Sequence, residues 1–216
     1  MNRSTIDKRV RRWSSDSNPG ASGIPGAVQS HGHAWVLGLA FQHDALTASA
    51  ALGVGHSYNV PAAFAQDEFA PTPWLKIAGS ARLDVHNSYG SFLNPRFSAL
   101  IHRPQSPWSL RASVGRGFAA PTPWVDEIEA TGLRVLLPLR GLRAERAVTE
   151  SIDAKWSGDG WDVNVSVLNS EIRDSLSAQS APGQKFVLVN DPGPRRAPGA
   201  ETLVHYVMGS LQVIGS

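Results

Sequence analysis

The sequence predicts an all-β chain, an antiparallel up-and-down transmembrane β-barrel fragment of about 8–9 strands that is open or incompletely closed. Three observations support this fold class. Several segments alternate apolar and polar residues, tight turns take alternate places with longer loops, and tryptophans lie at strand ends beside the tight turns. Soluble sheets also alternate in this way, so the turns and the tryptophans favour the membrane barrel.

Composition narrows the classes of protein that the chain can belong to. The 216 residues are 42% hydrophobic and 18% charged, with a formal net charge of +2, which predicts no nucleic-acid partner. There is no cysteine, so a disulfide framework, a thiolate metal site and a cysteine nucleophile are excluded. No apolar run reaches the roughly 18–20 residues of a membrane helix, which leaves a barrel as the way to cross a bilayer.

Residues 1–30 are predicted to form a flexible basic segment, and residues 31–216 the barrel part. Basic side chains outnumber acidic ones over residues 1–18, and no apolar stretch follows, so this part does not resemble a secretory signal peptide. Residues 14–26 are rich in Ser, Gly, Pro and Asn, which predicts a loop.

The first half of the barrel part contains four candidate strands, at residues 33–41, 58–69, 74–86 and 92–103. In the third, apolar or small residues occupy the odd positions and mostly polar residues the even ones, which is the period of a strand with one apolar face. Prolines predict tight reversals at residues 71–73 and 104–107.

The second half begins with a strand at residues 108–118, followed by a long loop at 119–145. Strands at 146–156 and 161–173 flank a Ser-Gly-Asp-Gly hairpin turn, in which glycine supplies positive φ. Residues 175–184 are predicted as a polar loop, residues 185–208 as one long interrupted strand, and residues 211–216 as the start of another. Short turns and longer loops thus alternate along the chain, as on the two rims of a membrane barrel.

The two faces of the strands have different predicted surroundings. The strand-end tryptophans Trp74, Trp108, Trp156 and Trp161 suit an aromatic girdle at a bilayer interface. Apolar side chains would then meet outer-membrane lipid, and the polar phase would line a wet lumen. The residues predicted to face this lumen are Arg82, Asp84, Arg96 and Arg111.

The stretch from Arg111 to Thr122, Arg-Ala-Ser-x-Gly-x-Gly-Phe-x-Ala-Pro-Thr, resembles the TonB-dependent receptors, the plugged β-barrel importers of the Gram-negative outer membrane. Shorter matches to the same family are 64–68, 79–84, 94–100, 142–145, 169–174 and 190–201. The resemblance implies an outer-membrane protein that takes part in the uptake of a siderophore, cobalamin or a similar metal chelate. Its partners would be lipid, the chelate and TonB.

Family members have parts that the sequence does not match: a signal peptide, a plug domain, a TonB-contacting segment and a terminal strand that ends in an aromatic residue. Such transporters have about 22 strands and a plugged lumen. We therefore expect an internal piece of the barrel that is not transport-competent alone.

Ligand contacts are expected in the long loop, because loops on the longer-loop rim face outside and meet a ligand first. The candidate residues are Trp124, Asp126, Glu127, Arg134 and Arg140.

Two alternative hypotheses remain open at this point, a small self-closing barrel and a soluble all-β binding module. No catalytic motif, cofactor fingerprint or zinc signature is present, so the sequence predicts neither an enzyme, a cofactor nor a metal site. The pair His31 and His33 lacks a third ligand and is expected to be solvated.

Overall fold

The computed structural model describes residues 21–30, 32–46, 55–122, 136–183, 185–208 and 211–215. Within these residues the regular structure consists of twelve strands. They are β1 (Ala21–Ser30), β2 (His33–Leu46), β3 (His56–Thr72), β4 (Leu75–His86), β5 (Gly90–His102), β6 (Trp108–Ala119), β7 (Glu145–Gly158), β8 (Trp161–Arg173), β9 (Leu176–Ala181), β10 (Lys185–Asn190), β11 (Arg195–Met208) and β12 (Leu211–Gly215).

Ten of these strands form one antiparallel sheet in which each strand pairs with its neighbours along the chain. The order runs from β1 to β8 and then to β11 and β12, while β9 and β10 make a separate hairpin within the connection from β8 to β11. Among the described strands, β1 and β12 are the edges of an open sheet. The predicted antiparallel up-and-down fragment is therefore confirmed.

The two ends of the sheet differ in their connections. At the short-turn rim, strands join through brief links such as Asp159-Gly160 between β7 and β8. Asp159 has a φ of 52° and Gly160 a φ of 81°, the pair of positive values that a tight type I′ hairpin turn requires. At the opposite end, the long-loop rim, the connections include 120–144 and 174–194.

Three strands lie where the sequence predicted other structure. β1 begins at Ala21, inside the predicted loop at 14–26, because its backbone pairs with β2 over its whole length and an edge strand tolerates Pro25. β9 occupies most of the predicted polar loop at 175–184. Residues 185–208 are not one interrupted strand, since β10 pairs with β9 and β11 pairs with β8.

One side of the ten-stranded sheet, called here the apolar face, exposes large hydrophobic side chains. Directly paired residues lie on the same side of a sheet, so Leu39, Ala63, Leu83 and Leu93 form one row across four strands. Leu39 is 68% exposed and Leu93 62% exposed. The described residues place no second layer over this face, which a soluble β-sandwich would require.

Trp108, Trp156 and Trp161 lie on the apolar face at the short-turn rim, and Trp74 lies in the turn between β3 and β4. Trp108 pairs directly with Trp156, and the ring of Trp161 stacks on that of Tyr206 at 4.2 Å between centroids. An aromatic row at one end of an apolar face is typical of a bilayer interface.

The opposite side, called here the inner face, carries small and polar residues that are more shielded. Ala62, Asp84 and Phe92 form a buried row across β3, β4 and β5. Residues from the long-loop rim also come together over the end of β2. Leu136 and Leu188 are buried there against Leu46, Leu139, Leu142, Ala178 and Phe186, a cluster called here the loop core.

Candidate functional site

A cavity of about 450 Å³ with both polar and apolar lining residues lies on the inner face near the long-loop rim. It is lined by side chains from β2 to β6 and by the first residues after β6. The lining residues are Gln42, Asp44, Tyr58, Val60, Arg82, Asp84, His86, Asn94, Gly117, Phe118, Ala119, Ala120 and Thr122. This wall-and-loop arrangement can enclose a small molecule on several sides.

The charged part of the cavity is built on Asp84, whose exposure is only 3%. Its carboxylate accepts hydrogen bonds from Arg82 Nε at 2.7 Å and from Asn94 Nδ2 at 3.0 Å. Burying a carboxylate is costly unless it is paired and hydrogen-bonded, so these two donors explain how Asp84 is accommodated. The Arg82 side chain remains 40% exposed, and its guanidinium has further N–H groups for an anion.

Two members of an aromatic cluster, Tyr58 and His86, line the cavity. Tyr58 contacts the rings of His56, His86 and Tyr89, with centroid distances of 4.3, 4.7 and 5.7 Å. The Tyr58 hydroxyl donates to the carbonyl oxygen of the fully buried Pro121 at 3.0 Å. A hydroxyl has one proton, so Tyr89 must donate in the 3.2 Å contact between the two tyrosine hydroxyls. These bonds fasten the start of the long loop to β3.

Phe118 closes the cavity on the side of β6. Its ring stacks on Phe92 at 3.9 Å between centroids with an interplanar angle of 7°. The ladder between β5 and β6 ends at Arg96 and Gly115, so the two strands are not paired beyond that point. The stacked rings therefore fill the space where the ladder has stopped.

The four residues predicted to be lumen-facing all lie on the inner face according to the strand register. Arg82 pairs with Asn94, Arg96 with Ser80, and Arg111 with Asp153. The cavity brings together Arg82 and Asp84 but not Arg96 or Arg111. Contact of these side chains with a lumen stays a prediction.

The predicted ligand contacts in the long loop are only partly within the described residues. Trp124, Asp126, Glu127 and Arg134 lie outside them. Arg140 is exposed, between the loop-core residues Leu139 and Leu142. A ligand-binding role for all five stays a prediction.

Sequence reasoning missed Tyr58, Asn94 and Phe118 as cavity residues. The contact between Tyr58 and Pro121 joins positions 63 residues apart, which no local pattern shows. The strand phase does contain a signal for His86, which shares the parity of Arg82 and Asp84 in the polar phase of β4. Tyr58 shares the parity of Val60 and Ala62 on β3, an apolar phase that contains no such signal.

Two further searches concern other kinds of site. No group of three or more His, Asp or Glu side chains among the described residues is placed to hold a metal ion. Nor does that part of the chain contain a helix long and apolar enough to cross a bilayer.

A single antiparallel sheet with an open apolar face, an aromatic row at one end and a polar inner face defines the wall of an outer-membrane β-barrel. The chain belongs to the TonB-dependent receptors, because the family model "TonB dependent receptor-like, beta-barrel" matches residues 6–216. The predicted family and its Gram-negative outer-membrane location are confirmed. The self-closing barrel and the soluble module are not favoured.

Solved structures share this fold at low sequence identity. The siderophore receptor PirA from Pseudomonas aeruginosa is 16% identical with a TM-score of 0.70, over 88% of this chain and 38% of that one. The ferric enterobactin receptor PfeA from the same organism is 13% identical with a TM-score of 0.70, over 88% and 34%. The copper transporter OprC is 13% identical with a TM-score of 0.67, over 87% and 34%.

The chain thus spans 34–38% of the length of these structures. At such identities the likeness concerns the fold alone. A search of curated proteins finds no significant match to this sequence.

Proposed function

We propose that the chain forms part of the barrel wall of a receptor that takes up a siderophore, cobalamin or a similar metal chelate across the outer membrane. The observation that carries the proposal is the inner-face cavity, where the Arg82 and Asp84 pair lies beside the aromatic cluster. Family membership and neighbours named for siderophores and copper support the same class of cargo.

The chemistry of the cavity suits a chelate with negative oxygens and flat rings. Arg82 lines the cavity and donates to Asp84 through Nε, so the position of its guanidinium is restricted before any ligand arrives. Such preorganisation lowers the entropy cost of binding. Tyr58, His86 and Phe118 contribute aromatic side chains to the lining of the cavity.

The long-loop residues belong to the same proposal. Trp124, Asp126, Glu127, Arg134 and Arg140 would contact the chelate from the outside, before it reaches the inner face. Arg140 is exposed at the long-loop rim, as this role requires.

Energised uptake would require parts that these strands do not supply. In the family, TonB acts through segments outside the barrel wall, so we expect the strands described here to bind a chelate without transporting it. The partners of the protein would therefore be the chelate, outer-membrane lipid and, for the intact receptor, TonB.

Binding is the direct test. The chain is refolded in detergent, and quenching of tryptophan fluorescence is measured with a ferric catecholate, a ferric hydroxamate and cobalamin. One of the three is expected to bind, and Arg82→Gln should weaken it by about tenfold, which corresponds to about 1.4 kcal/mol. Arg103→Gln, which removes the same charge in the turn after β5, is the matched control.

Two outcomes would contradict the proposal. The first is that none of the three chelates binds to a folded chain. The second is an equal loss of affinity in Arg82→Gln and Arg103→Gln, because it would show that the cavity charge has no particular role.

The long loop is tested separately in the same assay. Arg140→Gln is expected to weaken binding about threefold, the loss that corresponds to a modest exposed charge contact. An unchanged affinity would remove Arg140 from the set of ligand contacts and leave the cavity assignment intact.

A further inference from the structure

Toward the long-loop rim, the apolar face changes from rows of apolar residues to rows that contain charged residues. Across β6, β7, β8 and β11, one row consists of Ala112, Ile152, Val167 and Ala200. Two rows further along on the same face, the register brings Arg116, Val148, Glu171 and Arg196 together. The next row contains Arg146 directly opposite Arg173. Four arginines thus lie on the side of the sheet that elsewhere exposes hydrocarbon.

Three of these arginines line one cavity. It has a volume of about 530 Å³ and lies where β5 and β6 are no longer paired. Arg116, Arg146, Glu171 and Arg173 contribute charged groups to it, and Phe92, Leu93 and Phe118 contribute apolar ones. The cavity therefore combines guanidinium donors with an apolar wall.

Local contacts hold the guanidinium groups in place. Glu171 accepts two hydrogen bonds from Arg173, at 3.1 Å from Nε and 3.0 Å from Nη2, and lies 4.0 Å from Arg196. Arg146 lies over the ring of Phe92, with 5.7 Å from Cζ to the centroid. Asp174 also lines the cavity, but its carboxylate already pairs with Arg143 at 2.6 Å. Arg173 and Arg196 therefore share Glu171, and Glu150 lies one row away on the same face, so four arginines stand against two glutamates and the patch retains an excess of positive charge.

The position of the patch can be estimated from strand geometry. Trp108 marks the aromatic row, and Arg116 follows eight residues later on the same strand. At about 3.3 Å per residue and a tilt of about 40°, this separation is about 20 Å along the bilayer normal. The row of Arg146 and Arg173 lies about 5 Å further. The apolar band of a barrel is about 25 Å tall, so these arginines reach its far edge, at the level of the lipid headgroups.

We propose that Arg116, Arg146, Arg173 and Arg196 bind the phosphate headgroup of a membrane lipid in the outer leaflet, with the acyl chains lying along the apolar face below. Guanidinium groups match phosphate oxygens in bidentate pairs. The apolar face, which continues directly from the patch, supplies the surface for the chains. By register these arginines lie on the opposite side of the sheet from Arg82 and Asp84, and the two cavities adjoin where β5 and β6 are unpaired, at Asn94, Gly117 and Phe118.

The test uses the chain folded in neutral detergent micelles. Phosphatidic acid, which carries a phosphomonoester, is titrated beside diacylglycerol, which has the same chains without phosphate, and beside inorganic phosphate. Binding is measured by native mass spectrometry. We expect phosphatidic acid to bind at least about tenfold more tightly than either of the other two, because both the headgroup and the chains contribute.

Paired variants locate the site. Arg146→Gln with Arg173→Gln should weaken phosphatidic acid binding by about tenfold. Arg82→Gln with Arg111→Gln removes the same charge from the inner face and should change it less than about twofold. Arg146→Lys with Arg173→Lys keeps the charge but loses the bidentate geometry, and an intermediate loss of about threefold is expected. The lysine pair also serves if the glutamine pair does not fold.

Three results would overturn the proposal. They are equal losses in the outer and inner pairs, equal binding of phosphatidic acid and diacylglycerol, and binding of inorganic phosphate as tight as that of phosphatidic acid. Lipid and chelate binding are measured with different ligands and different variants, so the failure of this proposal and that of the proposed function are distinguishable.

Discussion

The ten-stranded sheet and the loop core distribute apolar side chains in opposite ways. The sheet exposes Leu39, Leu93 and Phe97 on its apolar face and shields Asp84 and His86 on its inner face. The loop core buries Leu136 and Leu188 and exposes the charged Arg140 next to them. Apolar side chains are thus exposed in the sheet and buried in the loop core, because the sheet is surrounded by hydrocarbon and the loops by water.

This contrast shows why hydrophobicity alone does not define the interior of such a protein. In the loop core, burial removes apolar surface from water and stabilises the packing of two loops. In the sheet, apolar side chains stabilise the protein by remaining on the outside, in contact with lipid. The predictions below separate the two cases, beginning with the largest expected effect.

The largest effect is expected when a charge is placed on the apolar face of a strand and compared with the same charge on its inner face. Phe97 lies on the apolar face of β5, and Ser98 follows it on the inner face. Phe97→Arg should destabilise the chain folded in lipid vesicles by about 2–4 kcal/mol, since an arginine would face hydrocarbon. Ser98→Arg should cost less than about 1 kcal/mol. Urea titration followed by tryptophan fluorescence measures both, and equal costs would contradict the assignment of the faces.

Removing a buried side chain from the loop core should destabilise the loops and leave the stability of the sheet unchanged. Leu188→Ala is expected to destabilise the β9–β10 hairpin by about 2 kcal/mol, the low end for a buried leucine because the cluster is small. Hydrogen exchange should then rise in β9 and β10 and remain unchanged in β4 and β5. Val187→Ala, at the half-buried neighbouring position, is the control. A rise that spreads through the sheet would show that the two regions are one cooperative unit.

The tight turn between β7 and β8 tests the sheet at its short-turn rim. A Cβ added to Gly160 would lie 2.6 Å from the carbonyl oxygen of Val207, at a φ of 81°. Gly160→Ala should therefore cost about 1–2 kcal/mol in the unfolding free energy of the sheet. Gly79→Ala is the matched control, since no atom lies within 4 Å of its Cβ position. Similar stabilities of the two variants in the same urea titration would argue against this turn geometry.

The smallest effect concerns pH at the base of the hairpin. Hydrogen bonds from Ser177 at 2.7 Å and Ser175 at 2.9 Å, with Arg195 nearby, hold the pKa of Asp191 below its usual value. A lowered folded pKa means that this stabilisation is complete above about pH 4 and is lost as the pH falls through the folded pKa. Protection of the β9–β10 amides, corrected for intrinsic exchange, should fall in that range.

Asp191→Asn should remove this dependence, whereas Asp159→Asn in the short-turn rim should preserve it. A decline of the same size in both variants would show that the acid sensitivity arises elsewhere in the chain.

Local chemistry explains which features the sequence could predict. The alternation at residues 74–86 and the Asp-Gly pair at 159–160 specify β4 and a hairpin turn through contacts between near neighbours. The hairpin of β9 and β10 was missed because its short polar strand has no phase of its own. Its register depends on β10 and on the loop core, which includes Leu46 from a distant strand.

The candidate site was predictable to a similar, limited degree. The polar phase of β4 placed Arg82 and Asp84 on one face, and the structure brings both to the cavity. Tyr58 and Phe118 come to it from β3 and β6, and the hydrogen bond from Tyr58 to Pro121 fastens the chain after β6 to β3. Such closure depends on tertiary contacts between remote segments, which periodicity does not encode.

The central claim is that the apolar face of the sheet meets hydrocarbon, and the absence of cysteine from the chain permits a direct test. Single cysteines at Leu39, Ala40, Phe97 and Ser98 would carry a fluorescent label in vesicles that contain brominated lipid. Labels at Leu39 and Phe97 are expected to be quenched by the lipid, and those at Ala40 and Ser98 by aqueous iodide. Equal quenching by lipid at all four positions, or lipid quenching confined to Ala40 and Ser98, would contradict this account.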